Sequence, residues 1–297
     1  MQSSCLFCPS ESASPSYYPA IEFNDKVFHY ITCDQCKLVY INPLLSDDDL
    51  KKLYSIDYHN EFYFNEGKQY KRQREILKKH KPKGRLLDYG CGDASFLRYF
   101  QNDDYELFGA EYNPVLVEQL KAVNKGIDFI TIGSLLSDST AKYDIIHLGD
   151  VLEHLVNPKE IIRTLRERLA PGGVLFVEGP IEHNFNFAYI FLAGNFKVKK
   201  MLMPKRVVPM RPFHIFFSNR ENQRKFFERN AFDTLHYEVF EWAWPLPDKW
   251  SSSRSVKQKL EFLIGKISTT ASSVFKGWGN RFYYVGSGSS LHNSKEL

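Results

Sequence analysis

Residues 85–97, R-L-L-D-Y-G-C-G-D-A-S-F-L, decide how the rest of the chain is read. They read as a buried strand, a glycine turn and the start of a helix. Leu86 and Leu87 form the apolar run. Gly90 and Gly92 let the backbone turn sharply and approach a ligand closely. Asp88 stands at the strand end, where open α/β sheets place their ligands. Alone, a Gly-x-Gly turn is a weak sign. Here the next unit, residues 105–113, runs apolar through Leu107 and Phe108 and ends in Glu111. A carboxylate about twenty residues past such a turn is where a nucleotide fold holds ribose hydroxyls.

Working outward, residues 84–180 repeat strand and helix. Short apolar runs at 85–89, 106–111, 127–132, 143–148 and 174–178 predict strands of a parallel sheet covered on both faces. Asn113-Pro114 and Asn157-Pro158 each place a cap before a proline at the first helical position. Glu160 follows Asn157 by three, as in a capping box. Pro171-Gly172-Gly173 is expected to stop the second of these helices. Alternating βα units predict a doubly wound, mostly parallel α/β sheet.

The flanks differ. Residues 46–83 predict a polar helical lead-in, opened by Ser46 and three aspartates. Residues 181–217 break the strand–helix rhythm. Their first half, 185–192, is apolar, and 197–211 holds Lys197, Lys199, Lys200, Lys205, Arg206 and Arg211. A long insertion after the fifth strand reads as a lid or substrate wall. Its basic half suits an anionic acceptor, or peripheral membrane contact through 185–211. Ser218-x-x-Glu221 predicts another capped helix, 232–240 a strand, 256–275 a helix and 281–285 the last strand. The main α/β domain thus spans 84–287, with 181–217 as its lid insertion, and 288–297 is expected to be a flexible tail.

Residues 1–45 read as a separate module. Cys5-x-x-Cys8 and Cys33-x-x-Cys36 supply four thiolates, enough to close one tetrahedral zinc site. Such a zinc is structural, because four sulfurs leave no open position. The net charge of +4 is too slight to argue nucleic-acid binding. No signal-peptide region and no run long enough to span a bilayer is visible, so a cytoplasmic location is expected.

Four blocks together resemble the class I S-adenosylmethionine-dependent methyltransferases. They are residues 86–97, 108–114 (F-G-A-E-Y-N-P), 143–158 (Y-D-I-I-H-L-G-D-V-L-E-H-L-V-N-P) and 169–180 (L-A-P-G-G-V-L-F-V-E-G-P). The family's third glycine falls on Ala94. The resemblance implies a Rossmann-like fold that binds S-adenosylmethionine, with the lead-in covering the cofactor and Tyr58 as a lid candidate. Asp88, Gly90, Cys91 and Gly92 would serve its amino-acid portion and Glu111 its ribose. Ser134 and Leu135 would edge the adenine, and Gly149 and Asp150 would face the sulfonium. The rival reading, a dinucleotide site, is opposed by the 169–175 block and by the lack of a nicotinamide-type fingerprint.

Asp150, Glu153 and His154 are spaced to share a helix face. In the resembling ubiquinone O-methyltransferases such a motif binds a divalent ion; a structural and gating pair is the alternative. His183 and His214 are the candidate general bases. His214 lies in P-F-H-I-F-F-S, which resembles the Glu-His-x-x-x-Phe-Ser segment of sugar C-methyltransferases that also carry a zinc module. Phe213 stands at the glutamate position. The expected activity is methyl transfer to a small molecule, a sugar or nucleotide-linked sugar, for which the acceptor can be phosphorylated. The alternatives are a quinone or phenolic O-methyltransferase and, last, a zinc-ribbon nucleic-acid-binding protein or RNA methyltransferase. Lys26 and Lys37 are the only basic residues of 1–45, so no nucleic-acid partner is expected.

Overall fold

The computed structural model describes residues 4–54, 70–242, 246–247, 250 and 255–288. Tyr58 and residues 289–297 lie outside them. The chain divides into two compact units. One comprises Ser46–Glu178, Phe227–His236 and Tyr284–Leu297. The other comprises Met1–Leu45, Gly179–Phe226 and Tyr237–Tyr283.

The first unit is built on a parallel-rich sheet. Across it the strands run Phe232–Phe240, Arg281–Gly288, Leu169–Pro180, Tyr143–Gly149, Gly84–Tyr89, Tyr105–Glu111 and Ile127–Thr131. The last five are joined by parallel pairings. Leu86 pairs with Leu107 on one side and Ile145 on the other, and all three are buried. This Rossmann-like order places the Gly84 strand at the switch point. Successive strands lie to one side of it, and the chain then returns to the other. Ligands of such sheets bind at the carboxyl end of that strand.

The helices of this unit carry the expected starts with one exception. Ser46 and Asp49 form a reciprocal capping box for Asp47–Leu53. Asn113 accepts from the N–H groups of Val115 and Leu116 at the head of Pro114–Val123. Asn157 makes no side-chain cap for Pro158–Glu167; its backbone stands at φ −120° and ψ 65°, outside the extended region usual for a cap. Ile132, expected to end a strand, instead opens the helix Ile132–Ser137, capped by Thr131.

The second unit holds a six-stranded sheet in the order Val207–Pro209, Ala20–Phe23, Lys26–Cys33, Val39–Asn42 and Phe216–Phe217, with Ala13–Pro15 also paired to Lys26–Cys33. Asn24 and Asp25 both have positive φ, the backbone of a tight hairpin turn. Residues 1–45 therefore share their sheet with strands from the segment read as an insertion. Val207–Pro209 adds in parallel to Ala20–Phe23, and Phe216–Phe217 adds antiparallel to Val39–Asn42. Phe7 stacks on Phe226 at 4.2 Å and meets Phe216 edge-on at 4.8 Å. Each such ring pair contributes about 0.5–1.5 kcal/mol beyond its buried area.

The rest of the insertion is a 16-residue helix, Phe187–Leu202, capped by Asn186. It packs against the 19-residue helix Val256–Val274, where the Ala188 N–H donates to Ser268 Oγ. The helix Arg220–Arg229 starts one residue later than expected. Asn219, not Ser218, accepts from the Asn222 N–H, and Asn222 returns a side-chain acceptor to the Asn219 N–H. Ser218 is buried and takes a bond from Gln223.

Candidate functional site

At the carboxyl end of the Gly84 strand the backbone turns as its glycines demand. Gly90 and Gly92 have φ of +78° and +53°. A Cβ on Gly90 would come within 2.7 Å of Val151. The N–H groups of Gly90 and Cys91 both donate to the Ala110 carbonyl, which pins the turn to the neighbouring strand. Ala94, in place of the family's third glycine, is buried and also left-handed, with φ +61°. An alanine there bears about 1–2 kcal/mol of backbone strain.

The turn opens on a cavity of about 570 Å³ that lies wholly within the first unit. Asp88, Gly90, Cys91, Gly92, Glu111, Gly149 and Asp150 all line it. Ser134 and Leu135 do not. Ser134 is exposed and bonded to Thr131, and Leu135 is fully buried in the core. Because the helix begins at Ile132, its i, i+4 pair Ile132 and Leu136 reaches the cavity instead. Tyr54, Tyr70, Phe96 and Tyr112 add aromatic wall.

Glu111 is buried, and backbone donors hold its carboxylate. Oε2 accepts from the Gly92 N–H at 3.0 Å. Oε1 accepts from Tyr112 at 2.7 Å and from Asn113 at 3.3 Å. A carboxylate has about four acceptor sites. Oε2 therefore keeps room for one further hydroxyl, and a second would have to displace the long Asn113 bond.

The cavity wall contains a buried charge cluster that sequence reading did not assemble. His147 Nδ1 lies 2.7 Å from Asp88 Oδ1. Its Nε2 lies 3.4 Å from Glu178 Oε1, close enough for charge pairing but not aligned as a hydrogen bond. Gln73 Nε2 donates to both Glu178 oxygens, at 3.1 and 2.9 Å. Phe96 stacks on the imidazole at 3.8 Å. Burial alone would lower the His147 pKa, but the two carboxylates outweigh it and raise it to about 9. His147 is thus an imidazolium at neutral pH. Gly149 is glycine because a Cβ there would meet His147 Cε1 at 2.7 Å. The available signal was a histidine inside the apolar run I-I-H-L.

Asp150, Glu153 and His154 do not share an α-helical face. The segment is a three-residue 3₁₀ turn, Leu152–His154, and Asp150 precedes it with a left-handed φ of +55°. Glu153 is buried 3.8 Å from His154 Nε2.

The remaining candidates belong to the second unit. The ligand sulfurs of Cys5, Cys8, Cys33 and Cys36 lie within 4.8 Å of one another. Cys5 and Cys36 are 3.5 Å apart, as are Cys8 and Cys33. A tetrahedron with metal–sulfur bonds of 2.3 Å needs sulfur separations of about 3.8 Å. The N–H groups of Phe7 and Cys36 donate to Cys5 Sγ and Cys33 Sγ. Asn222 donates to the Cys36 carbonyl and so ties the knuckle to a distant helix.

His214 Nδ1 lies 2.7 Å from Glu182 Oε2. Phe213 occupies the place of the glutamate in sequence, yet Glu182 brings a carboxylate to the same imidazole from 32 residues away. A carboxylate on Nδ1 orients the ring and fixes its tautomer. His183 is more enclosed. Burial, then the charge of Lys197, lowers its pKa to about 4, so it is neutral and a poor proton acceptor. Tyr189 Oη contacts its Nδ1 at 3.3 Å.

The profile of a family described as a methyltransferase domain matches residues 60–237. Among curated proteins, the ubiquinone biosynthesis O-methyltransferase of Histophilus somni is 31% identical over 128 residues, 40% of this chain and 53% of the relative. The protein of that name from Citrobacter koseri is 26% identical over 98 residues, 31% of this chain and 40% of the relative. The chain spans about half the length, or less, of these curated relatives. Among solved structures, a chain from the complex between the Haloferax volcanii Trm112 methyltransferase activator and a methyltransferase aligns with a TM-score of 0.51. Identity is 12%, covering 80% of this chain and 96% of that one. That likeness concerns the fold.

Proposed function

This chain belongs to the methyltransferase-domain family, and from that premise we propose that it transfers a methyl group from S-adenosylmethionine to a small acceptor. The observation that carries the proposal is the cavity itself. A left-handed glycine turn and a buried carboxylate with acceptor capacity face one volume at the sheet's switch point. When bound, S-adenosylmethionine supplies an electrophilic methyl group on a positive sulfur. The residues Asp88, Gly90, Cys91, Gly92, Glu111, Gly149 and Asp150 would hold it. The turn at 90–92 would leave space for the amino-acid portion, and Glu111 Oε2 would accept from a ribose hydroxyl. Two acidic side chains, Asp88 and Glu178, and one imidazole, His147, line this wall, a balance that favours a cationic ligand over a neutral one.

Glu111→Ala should weaken S-adenosylmethionine binding by about 1.5–3 kcal/mol, the scale of a hydrogen bond to a charged group. Titration calorimetry on both proteins is the measurement. Equal affinities would remove Glu111 from the site.

For the acceptor, two readings each have support. The curated relatives favour a quinone or phenolic hydroxyl. The His214–Glu182 pair favours an acceptor that needs a base, such as a sugar, because a carboxylate on Nδ1 orients the imidazole and supports it in taking a proton. A panel of catechols and nucleotide-linked sugars, scored by S-adenosylhomocysteine release, separates the two.

The four cysteines fit a structural zinc, which would hold the knuckle and supply no chemistry. Cys33→Ser should release about one zinc per chain by elemental analysis. S-adenosylmethionine affinity should survive. A wild-type protein that is folded over residues 4–45 and free of zinc would defeat this assignment.

A further inference from the structure

The exposed apolar surface is unevenly distributed. Among the described residues, 17 of the 22 exposed large hydrophobic side chains fall in 185–210 and 242–275. Both segments belong to the second unit. Their packed helices, Phe187–Leu202 and Val256–Val274, are built inside out.

In Val256–Val274 the apolar stripe is regular. Val256, Leu260, Leu263, Ile267 and Val274 recur at i, i+4, i+7, i+11 and i+18. At 100° per residue they fall within about 60° of arc. Such a stripe ordinarily turns toward a core. Here all five are exposed, Val256 at 85%, and the buried positions are Gly265 and Ser268. In Phe187–Leu202 the exposed residues Phe187, Ile190, Val198, Met201 and Leu202 span about 120° of arc. Its buried positions are Ala188 and Ala193. Small residues thus join the two helices, and large ones face outward. The ends meet at Trp278, whose ring contacts Phe187 at 5.3 Å and Phe275 at 4.7 Å, both of them exposed.

The charge follows the same surface. Residues 185–211 contain six basic and no acidic side chains, and 255–276 contain four lysines and Glu261. Their net charge of six plus three is +9, against +4 for the whole chain, so the remainder carries −5. On the helical wheel Lys257 lies on one border of the Val256 stripe, and Lys259 and Lys266 on the other.

We propose that this two-helix face lies on the surface of a bilayer that carries anionic headgroups. Outward apolar stripes bordered by lysines are what an interfacial helix requires: the stripe enters the acyl boundary and the lysines stay with the phosphates. The helices lie on the membrane and do not cross it; among the described residues none is long and apolar enough to span one. A nucleic acid would use the lysines but leave the apolar stripes exposed to water. The proposal is independent of the methyl-transfer reading.

The test is co-sedimentation of the full chain with sucrose-loaded vesicles. One set is phosphatidylcholine alone, the other phosphatidylcholine with phosphatidylglycerol. Binding is expected to the anionic set, with a blue shift of tryptophan emission and weakening in high salt. Lys257→Gln, Lys259→Gln and Lys266→Gln together should lower partitioning about 100-fold, at roughly tenfold or less per lysine. Leu260→Glu with Ile267→Glu should abolish the blue shift. Circular dichroism melts check folding, and the lysine variant stands alone should the glutamate variant unfold. No vesicle binding by the wild type would overturn the proposal. So would binding that none of these changes affects. A concentration-dependent dimer lost on Leu260→Glu without vesicle binding would assign the face to self-association. Retention of an RNA oligomer through the lysines, again without vesicle binding, would assign it to nucleic acid.

Discussion

His147 is a buried imidazole and His183 a half-buried one, and the two units that hold them treat the proton in opposite ways. In the first unit two carboxylates face His147 and hold it charged, with a pKa raised to about 9. In the second unit His183 sits among Tyr17, Tyr189 and Lys197. Burial there is reinforced by the charge of Lys197, and the pKa falls to about 4. Burial by itself therefore predicts neither state. The sign of the nearest charge decides, because removing an ion from water is costly unless a partner offsets it.

Three experiments test this contrast. The largest effect is expected from His147→Leu, which leaves Asp88 and Glu178 buried without their cation. Loss of one partner from a buried pair costs about 3–5 kcal/mol, to be read from urea unfolding. A loss under about 1 kcal/mol would mean that the cluster is open to water and that the contrast fails.

The second is a pH titration of stability. The His147 pKa is raised above the ordinary imidazole value of about 6.5. Its contribution is fully present below pH 6.5 and is lost as pH rises through about 9. The difference amounts to roughly 3 kcal/mol. It should be missing from the alkaline limb of the His147→Leu variant. An alkaline limb identical in the two proteins would show that His147 is already neutral.

The third and smallest effect lies on the acid limb. The His183 pKa is depressed, so its contribution is present above about pH 6.5 and lost as pH falls toward about 4. His183→Phe should shrink the stability lost between these pH values by about 2 kcal/mol. Carboxylates also shape that limb, and only the difference between wild type and variant isolates His183. No difference would place His183 in contact with solvent.

The same two units differ in how far they could be read from sequence. The Gly84 strand, its glycine turn and Glu111 were legible because each depends on neighbours within about twenty-five residues. The parallel sheet announced itself through unbroken apolar runs such as 143–148. Ser134 and Leu135 missed the cavity because a strand read one residue too long hid the helix start at Ile132, and with it the face that turns inward. The His147 cluster depends on register: His147 stands opposite Asp88, while Glu178 arrives from the next strand and Gln73 from the lead-in helix. The second unit was less legible. Val-Val-Pro at 207–209 is too short to show a period, and it becomes a strand only because Ala20–Phe23 offers an edge. Glu182 reaches His214 across a fold that spacing alone does not reveal.

The parallel pairing of Ala20–Phe23 with Val207–Pro209 also sets an order of assembly during synthesis. The two strands are separated by about 185 residues, which a ribosome adds in roughly ten to forty seconds at ~5–20 residues per second. Throughout that interval the edge of Ala20–Phe23 has no strand to complete it, and an open edge is a template for unwanted pairing. Meanwhile the parallel strands from Gly84 to Pro180 emerge as one unbroken run that can pair at once. The earlier segment is thus kept waiting while a later one is finished.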